Sequence, residues 1–332
     1  MSKPIVVLGA GAWGTALALS LAYQHNNVYL WSYKAEEVAK LQAEGENQRY
    51  LPGFPFPPNL HCEHQLAPLL SDASDILMAV PSYAFVETLQ AIKPHLKPQA
   101  RIAWATKGLA HYQDQVLFLS EIVTQELGQR AIALVSGPSF AKEVAAKLPT
   151  AVVIAGNNPQ FTADLSQRFH SHFFRTYQSE DLIGVQLGGV LKNVFAIAAG
   201  IADGMSLGAN ARCALITRGL AELTRLNTAM GGTPATVTGL AGLGDLVLTC
   251  TDNQSRNRRF GLALGRGLSL SEAKQKVAHA VEGYANAVHV YHLAKRYQVE
   301  MPIVEEVYQV LYAGKTPQEA LLSLMSRQPA AE

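Results

Sequence analysis

Cysteine is scarce in this chain. There are three, Cys62, Cys213 and Cys250, and no C-x-x-C pair. An odd count without metal-like spacing argues against a disulfide framework, gives no reason to expect a metal, and predicts reduced thiols, as in the cytoplasm. Charge is sparse as well: 27 Lys and Arg stand against 26 Asp and Glu, for a net charge of +1. No long-range field therefore points to nucleic acid or an anionic membrane surface as a partner. The first stretch, MSKPIVVLGAGAWGTALALSLA, has the early lysine, apolar run and small residues of a secretory signal. Glycines at 9, 11 and 14 break that run and polar YQHNN follows, so it reads as part of the fold. No other run is long and apolar enough to be expected to span a bilayer.

What is present is a chain of 332 residues, 48% of them hydrophobic, enough for two domains with real cores. Strand-like and helix-like segments alternate through the first half. Strands are expected at Pro4 to Leu8, Asn26 to Trp31, Asp75 to Pro81, Arg101 to Gly108, Arg130 to Pro138, Thr150 to Gly156 and Phe173 to Gln178. Helices are expected at Gly11 to Tyr23, Lys34 to Ala43, up to about Ile92, Gln115 to Glu126, and over SFAKEVAA, with one more between the last two strands. Tyr50 to Leu60, rich in proline and glycine, reads as an irregular loop. This alternation predicts a doubly wound, largely parallel Rossmann-type sheet over residues 1–181. From about Leu182 the pattern becomes Ala-, Leu- and Gly-rich with helical spacing, which predicts an all-helical domain over 182–332. The tail SRQPAAE is expected to fray.

Four stretches carry chemistry. LGAGAWG gives Gly9-x-Gly11-x-x-Gly14 after a strand and before a helix, the context in which such a turn holds a dinucleotide pyrophosphate. The second strand then ends in Tyr33 and Lys34, where an NAD site usually has Asp or Glu. Lys34 could meet a 2′-phosphate and Tyr33 could lie against adenine, which favours NADPH, although Glu36 and Glu37 keep NADH open. The competing reading makes Lys34 the start of a solvated helix.

Lys107 in WATKGL lies at the end of a strand, on the sheet edge where such folds bind ligands. Ser139 in SGPSFAKEV has the same placement. Ordinary turn residues are the competing reading for both. In LGGVLKNVFAIAAGIADG, Lys192 is the one charged residue between Asp181 and Asp203. Either it snorkels to water, or it sits in a site that uses its proton; Asn193 beside it can hold a substrate oxygen. Asp245 is equally isolated in GLAGLGDLVLTC, and two lone opposite charges are best explained by each other or by a shared substrate. Ser255, Arg256 and Asn257 then offer a hydroxyl, a planar fork and an amide, a set suited to a phosphate. Arg258 and Arg259 read as a solvated face.

In their order, GAGAWGTALA, VPSYAF, ATKGL, SGPSFAKEVA, LKNVFAIAAGIADG, GLAGLGDLVLTC, SRNRRFG and VEGY resemble the bacterial NAD(P)-dependent sn-glycerol-3-phosphate dehydrogenases. The resemblance runs from residue 5 to about 284, and its LKN and GLGDL/SRN blocks are specific. It implies that Lys192 is the acid/base group and that Lys107, Asp245, Asn193 and Thr249 complete the catalytic cluster. It implies that Gly137, Ser139, Ser255, Arg256 and Asn257, with Lys107, Lys192 and Asp245, contact glycerol 3-phosphate or dihydroxyacetone phosphate. Gly9, Gly11, Ala12, Trp13, Gly14, Tyr33, Lys34, Lys107, Ala141, Arg256, Ala280 and Glu282 match dinucleotide-contacting positions. Ala12 stands where many members have serine, and Tyr33-Lys34 where others carry His or Arg; both departures bear on cofactor choice. The implied product feeds glycerophospholipid synthesis.

Two other functions fit parts of the pattern. Another β-hydroxyacid-type dehydrogenase would also draw a lysine and an asparagine from a helical domain, but the SRN segment favours a phosphate-bearing substrate. A sensor that binds NAD(P) without turnover would not need the Lys192–Asp245 pair. On assembly, the sequence does no more than allow a homodimer through the helical domain.

Overall fold

The computed structural model describes residues 4–277 and 280–328. Residues 329–332, part of the tail expected to fray, lie outside the described residues. The chain divides between Leu182 and Ile183 into two compact units.

The first unit begins β1 (Ile5–Leu8), α1 (Ala12–Tyr23), β2 (Val28–Trp31), α2 (Ala35–Glu44), β3 (Leu60–Glu63), α3 (Leu66–Asp72), β4 (Asp75–Met78), α4 (Phe85–Ile92) and β5 (Arg101–Trp104). A hairpin of β6 (Leu109–Tyr112) and β7 (Gln115–Phe118) follows, then α5 (Leu119–Leu127), β8 (Ile132–Ser136), α6 (Ala141–Ala145), β9 (Thr150–Gly156), α7 (Pro159–Phe169) and β10 (Phe174–Ser179). Eight strands form one sheet in the order β10-β9-β8-β5-β4-β1-β2-β3. Every neighbouring pair is parallel except β8 with β9. Strand β1 is buried at all four positions, as a continuous Ile-Val-Val-Leu run in a covered parallel sheet should be. It pairs with β2 on one side and β4 on the other, so the strand order reverses there. That reversal is where doubly wound sheets open a crevice for ligands. At the opposite end of the strands, buried Asp75 accepts from Arg101 at 2.6 and 2.8 Å and lies 3.1 Å from Arg168.

One local expectation needs correction, and several short elements were not anticipated. Gln115 to Glu126 is not one helix: Gln115–Phe118 is strand β7, and the helix starts at Leu119. Gln113 and Asp114 both adopt left-handed backbone, φ 47° and 62°, and so close a tight hairpin without the glycine that usually announces one. Strand β3 and helix α3 were not anticipated; LHCE is short, lies at the sheet edge and is half polar, so it lacks a strand signature.

The second unit contains α8 (Leu182–Gly204), α9 (Gly208–Ala229), α10 (Pro234–Val237), α11 (Asp245–Thr251), α12 (Arg256–Gly265), α13 (Leu270–Val277), α14 (Glu282–Arg296), α15 (Pro302–Tyr312) and α16 (Pro317–Met325). Contrary to the expectation from the sequence, helix α8 is long and apolar enough to cross a bilayer, but 83% of its apolar window is buried, as in a core helix. Its glycines explain its composition. A Cβ added at Gly188 would lie 2.2 Å from the Ala241 carbonyl oxygen, and one at Gly200 would lie 2.1 Å from that of Arg258. From the other side, a Cβ at Gly261 or Gly265 of α12 would lie 2.1 and 2.2 Å from the carbonyls of Ile197 and Ile201. Gly200 and Gly204 thus face Gly261 and Gly265, each pair four apart on its helix, and the two backbones touch. On α9, buried Glu222 accepts from the amides of Ile303 and Val304 at the start of α15, at 2.7 and 3.2 Å.

Candidate active site

In the first unit, the turn after β1 is built from three different glycines. Gly9 has φ +114°, and a Cβ there would meet the Val80 amide at 2.9 Å. A Cβ at Gly14 would stand 1.9 Å from the Gly9 carbonyl, so helix and turn touch. A Cβ at Gly11, by contrast, would meet nothing within 4 Å among the described residues. Helix α1 starts at Ala12 without a side-chain cap, leaving its first amides to face an anion. The indole Nε1 of Trp13 is buried without a partner among the described residues. An open glycine, uncapped amides and an unpaired indole N–H fit a dinucleotide diphosphate.

Around the end of β2, Tyr33 is 70% exposed, and the Lys34 ammonium lies 5.2 Å from its ring. The Tyr33 side chain raises the Lys34 pKa through a hydrogen bond and through charge. Glu37 receives the Ser32 hydroxyl at 2.8 Å and Arg49 at 2.9 Å. Arg49 was not anticipated. It is placed by buried Asn47, whose amide donates to the Ala10 carbonyl and the Thr15 hydroxyl and whose oxygen accepts from the Tyr50 amide. That fastens the loop after α2 to the glycine turn. An asparagine in EGENQRY carries no sequence signal for such a role. Elsewhere in this unit, Lys107 Nζ donates to the Gly137 carbonyl at 3.1 Å, and the Ser139 hydroxyl donates to the same oxygen at 2.9 Å. Lys107, Gly137 and Ser139 therefore form one cluster, with Ala141 opening α6 just after it.

In the second unit, Lys192 lies midway along α8 and is 9% exposed. Its Nζ is 2.5 Å from Oδ1 of Asp245, which is fully buried. Asp245 follows a π-helical turn, Leu240–Gly244, in which a Cβ at Gly242 would stand 2.0 Å from the Val237 carbonyl. Such turns recur at functional sites. Thr249, one helical turn on, donates to the Asp245 carbonyl at 2.6 Å and lies 3.4 Å from its carboxylate. The two isolated charges read from the sequence are thus each other's partners.

Asn193 and Asn257 are also joined. Asn257 Nδ2 donates to Asn193 Oδ1 at 2.8 Å, and Asn257 Oδ1 accepts the Gly283 amide at 2.9 Å. This ties α8 and α12 to the first turn of α14, where Glu282 sits. Ser255 caps α12 by accepting the Arg258 amide at 3.1 Å. Arg256 is exposed, yet enough protein surrounds its guanidinium that desolvation lowers its pKa; Glu282 opposes that shift and Arg259 adds to it. Ala280 is exposed. One expectation fails: Arg258 is not on a solvated face but 6% exposed, with a hydrogen bond from each of its three side-chain nitrogens. A run of arginines reads as surface because the sequence does not show which member turns inward.

Family models match nearly the whole chain: the N-terminal model of NAD-dependent glycerol-3-phosphate dehydrogenase over residues 4–162, and the C-terminal model over 181–322. The chain belongs to the NAD-dependent glycerol-3-phosphate dehydrogenase family. Within that family it is similar to the NAD(P)+ glycerol-3-phosphate dehydrogenase of Coxiella burnetii, at 53% identity over 99% of this chain and 98% of the relative. The enzyme of the same name from Escherichia coli O1:K1 is 52% identical over 97% and 95%. The crystal structure of the Coxiella burnetii enzyme superposes with a TM-score of 0.94, covering 98% of this chain and 99% of that one. A D-mandelate dehydrogenase shares the fold alone, with a TM-score of 0.65 and 14% identity over 96% and 99% of the two chains.

Proposed function

We propose that this glycerol-3-phosphate dehydrogenase family member reduces dihydroxyacetone phosphate to sn-glycerol 3-phosphate, reversibly, with NADPH and also NADH. Residues 1–181 bind the dinucleotide and 182–332 carry the catalytic groups. The observation that carries the reading is the buried Lys192–Asp245 pair in a chain that matches the family over nearly its whole length. When bound, the nicotinamide supplies the hydride.

The chain's own part follows from charge. As the C2 carbonyl is reduced, negative charge develops on its oxygen, and Lys192 Nζ donates a proton to that oxygen. Asp245 remains ionised beside the neutral amine, so the pair passes from salt bridge to charged hydrogen bond without taking up a second proton. Burial keeps water from competing for the proton and strengthens both interactions. Thr249 holds the Asp245 backbone and carboxylate in place. Arg256, whose guanidinium makes no hydrogen bond among the described residues and feels the charge of Glu282, supports binding of the phosphate, together with Ser255 and the remaining N–H of Asn257. Lys107, Gly137 and Ser139 form the substrate-facing cluster of the first unit. Gly9, Gly11, Ala12, Trp13 and Gly14 would hold the diphosphate, and Tyr33, Lys34, Ala141, Ala280 and Glu282 the rest of the dinucleotide. Three free thiols agree with a reducing cytoplasm, where the product would serve as the backbone of glycerophospholipids.

The test is oxidation of NADPH that depends on dihydroxyacetone phosphate, followed by absorbance. Its absence from the purified chain overturns the proposal. Lys192→Ala should lower turnover by about 10²–10⁴ while NADPH affinity stays near that of the wild type. A variant retaining more than a tenth of wild-type turnover removes the lysine from its role.

A further inference from the structure

We propose that Arg258 is a positioning residue that sets the phosphate-binding segment 255–257 against the lysine helix; this rests on the function proposed above. Its guanidinium is buried and its three nitrogens have three different partners. Nε donates to the Cys250 carbonyl at 2.9 Å, Nη1 to Asn253 Oδ1 at 2.5 Å and Nη2 to Asp203 Oδ2 at 2.5 Å. Asp203 is in turn held by Arg212 at 3.0 and 3.1 Å.

Each partner belongs to a different part of the machinery. Cys250 lies in the last turn of α11, the helix that begins with Asp245 and carries Thr249. Asn253 lies in the turn that leads into Ser255. Asp203 is next to the last residue of α8, the helix of Lys192. One side chain therefore fastens α8, α11 and the entry to α12, while the Arg258 backbone amide binds the Ser255 hydroxyl.

The glycine contact explains why a fastening is needed. Gly200, Gly204, Gly261 and Gly265 bring α8 and α12 together at backbone distance. A stripe of glycines fixes separation well, but it presents few side chains to resist sliding along the helix axes. The charged Arg258–Asp203 contact supplies that axial stop. Each of its nitrogens already holds a partner and the side chain is only 6% exposed, so the effect of Arg258 on the reaction runs through Ser255, Arg256 and Asn257. Lysine cannot replace it, because one ammonium cannot present a planar fork to a carbonyl, an amide and a carboxylate at once.

The experiment compares Arg258→Lys, Arg258→Ala and Asp203→Asn with wild type, using dihydroxyacetone phosphate and unphosphorylated dihydroxyacetone as substrates. The expected result for the arginine variants is a ten- to hundredfold rise in KM for the phosphate substrate, the scale of a misplacement of about 1 Å. The slow rate on dihydroxyacetone should change less than threefold. Asp203→Asn should show the same selective loss more weakly, and millimolar guanidinium should partly restore KM in Arg258→Ala. An equal loss on both substrates, an unchanged KM in folded Arg258→Lys, or failure of all three variants to fold makes Arg258 a residue of the fold and overturns the proposal. Wild-type protein inactive on dihydroxyacetone phosphate would instead overturn the functional reading itself.

Discussion

The two units spend glycine in opposite ways. In the turn after β1, Gly11 leaves space: none of the described residues comes within 4 Å of where its Cβ would be. Along α8 and α12, Gly200, Gly261 and Gly265 remove space, with main-chain oxygens 2.1 to 2.2 Å from the same virtual atom. Open space at a helix N-terminus invites a ligand. Filled space between two helices holds side chains such as Lys192 and Ser255 in register. Glycine count alone says little; what matters is what stands beside the missing Cβ.

The largest expected effect comes from adding one methyl group to each kind of site. Gly261→Ala should gain up to about 1 kcal/mol from helix propensity. It must also push α12 off the Ile197 carbonyl, at about 3 kcal/mol or more for overpacking against backbone. The clash wins, so the midpoint of urea unfolding should fall clearly. Gly11→Ala should leave the midpoint near wild type and weaken NADPH binding instead, by about tenfold through its encroachment on the diphosphate. Equal stability of the two variants would erase the distinction.

Much of this was legible in the sequence, and for physical reasons. The glycine turn has fixed spacing between a strand and a helix, which few other structures require. Lys192 and Asp245 stood out because isolated charges in apolar segments need partners. The Asn193–Asn257–Gly283 chain, the Asn47 anchor and Arg258 did not, since amides and arginines are ordinary surface residues until a fold buries them. The β6–β7 hairpin was hidden because Gln113 and Asp114 take a backbone conformation usually left to glycine or asparagine.

Buried carboxylates carry the comparison further. Asp75 in the first unit lies between Arg101 and Arg168. Glu222 in the second is held mainly by two backbone amides, with Arg225 and Arg327 acting only through longer-range charge. Burial therefore prevails and pushes the Glu222 pKa from 4.5 up to about 7. Between those values the unfolded chain releases this proton while the folded chain keeps it. The stability contribution of Glu222 is thus greatest at low pH and declines as pH rises to about 7, by about 3 kcal/mol in the limit. Glu222→Gln should remove that slope from urea unfolding measured between pH 4.5 and 7. An unchanged slope would assign it to other groups.

The smallest expected effect lies at the open end of the first unit, where β2 ends in Tyr33 and Lys34. Two cations, Lys34 and Arg49, and two carboxylates, Glu36 and Glu37, lie along this rim, and Glu37 is already engaged by Ser32 and Arg49. A carboxylate so occupied is a poor acceptor for a ribose hydroxyl, whereas an exposed ammonium costs little to bring to a 2′-phosphate. We therefore expect NADPH to be used at least as well as NADH. Lys34→Asp should shift the ratio of kcat/KM values toward NADH, and Arg49→Ala should do the same by releasing Glu37. Because Lys34 is fully solvated and Arg49 largely so, each change should be about two- to fivefold, the scale of exposed ion pairs. The shifts should shrink at high salt, since exposed charges are screened. Strong NADH preference in the wild type, or a ratio untouched by both substitutions, would mean that cofactor choice is made elsewhere, with the turn residue Ala12 the next position to change.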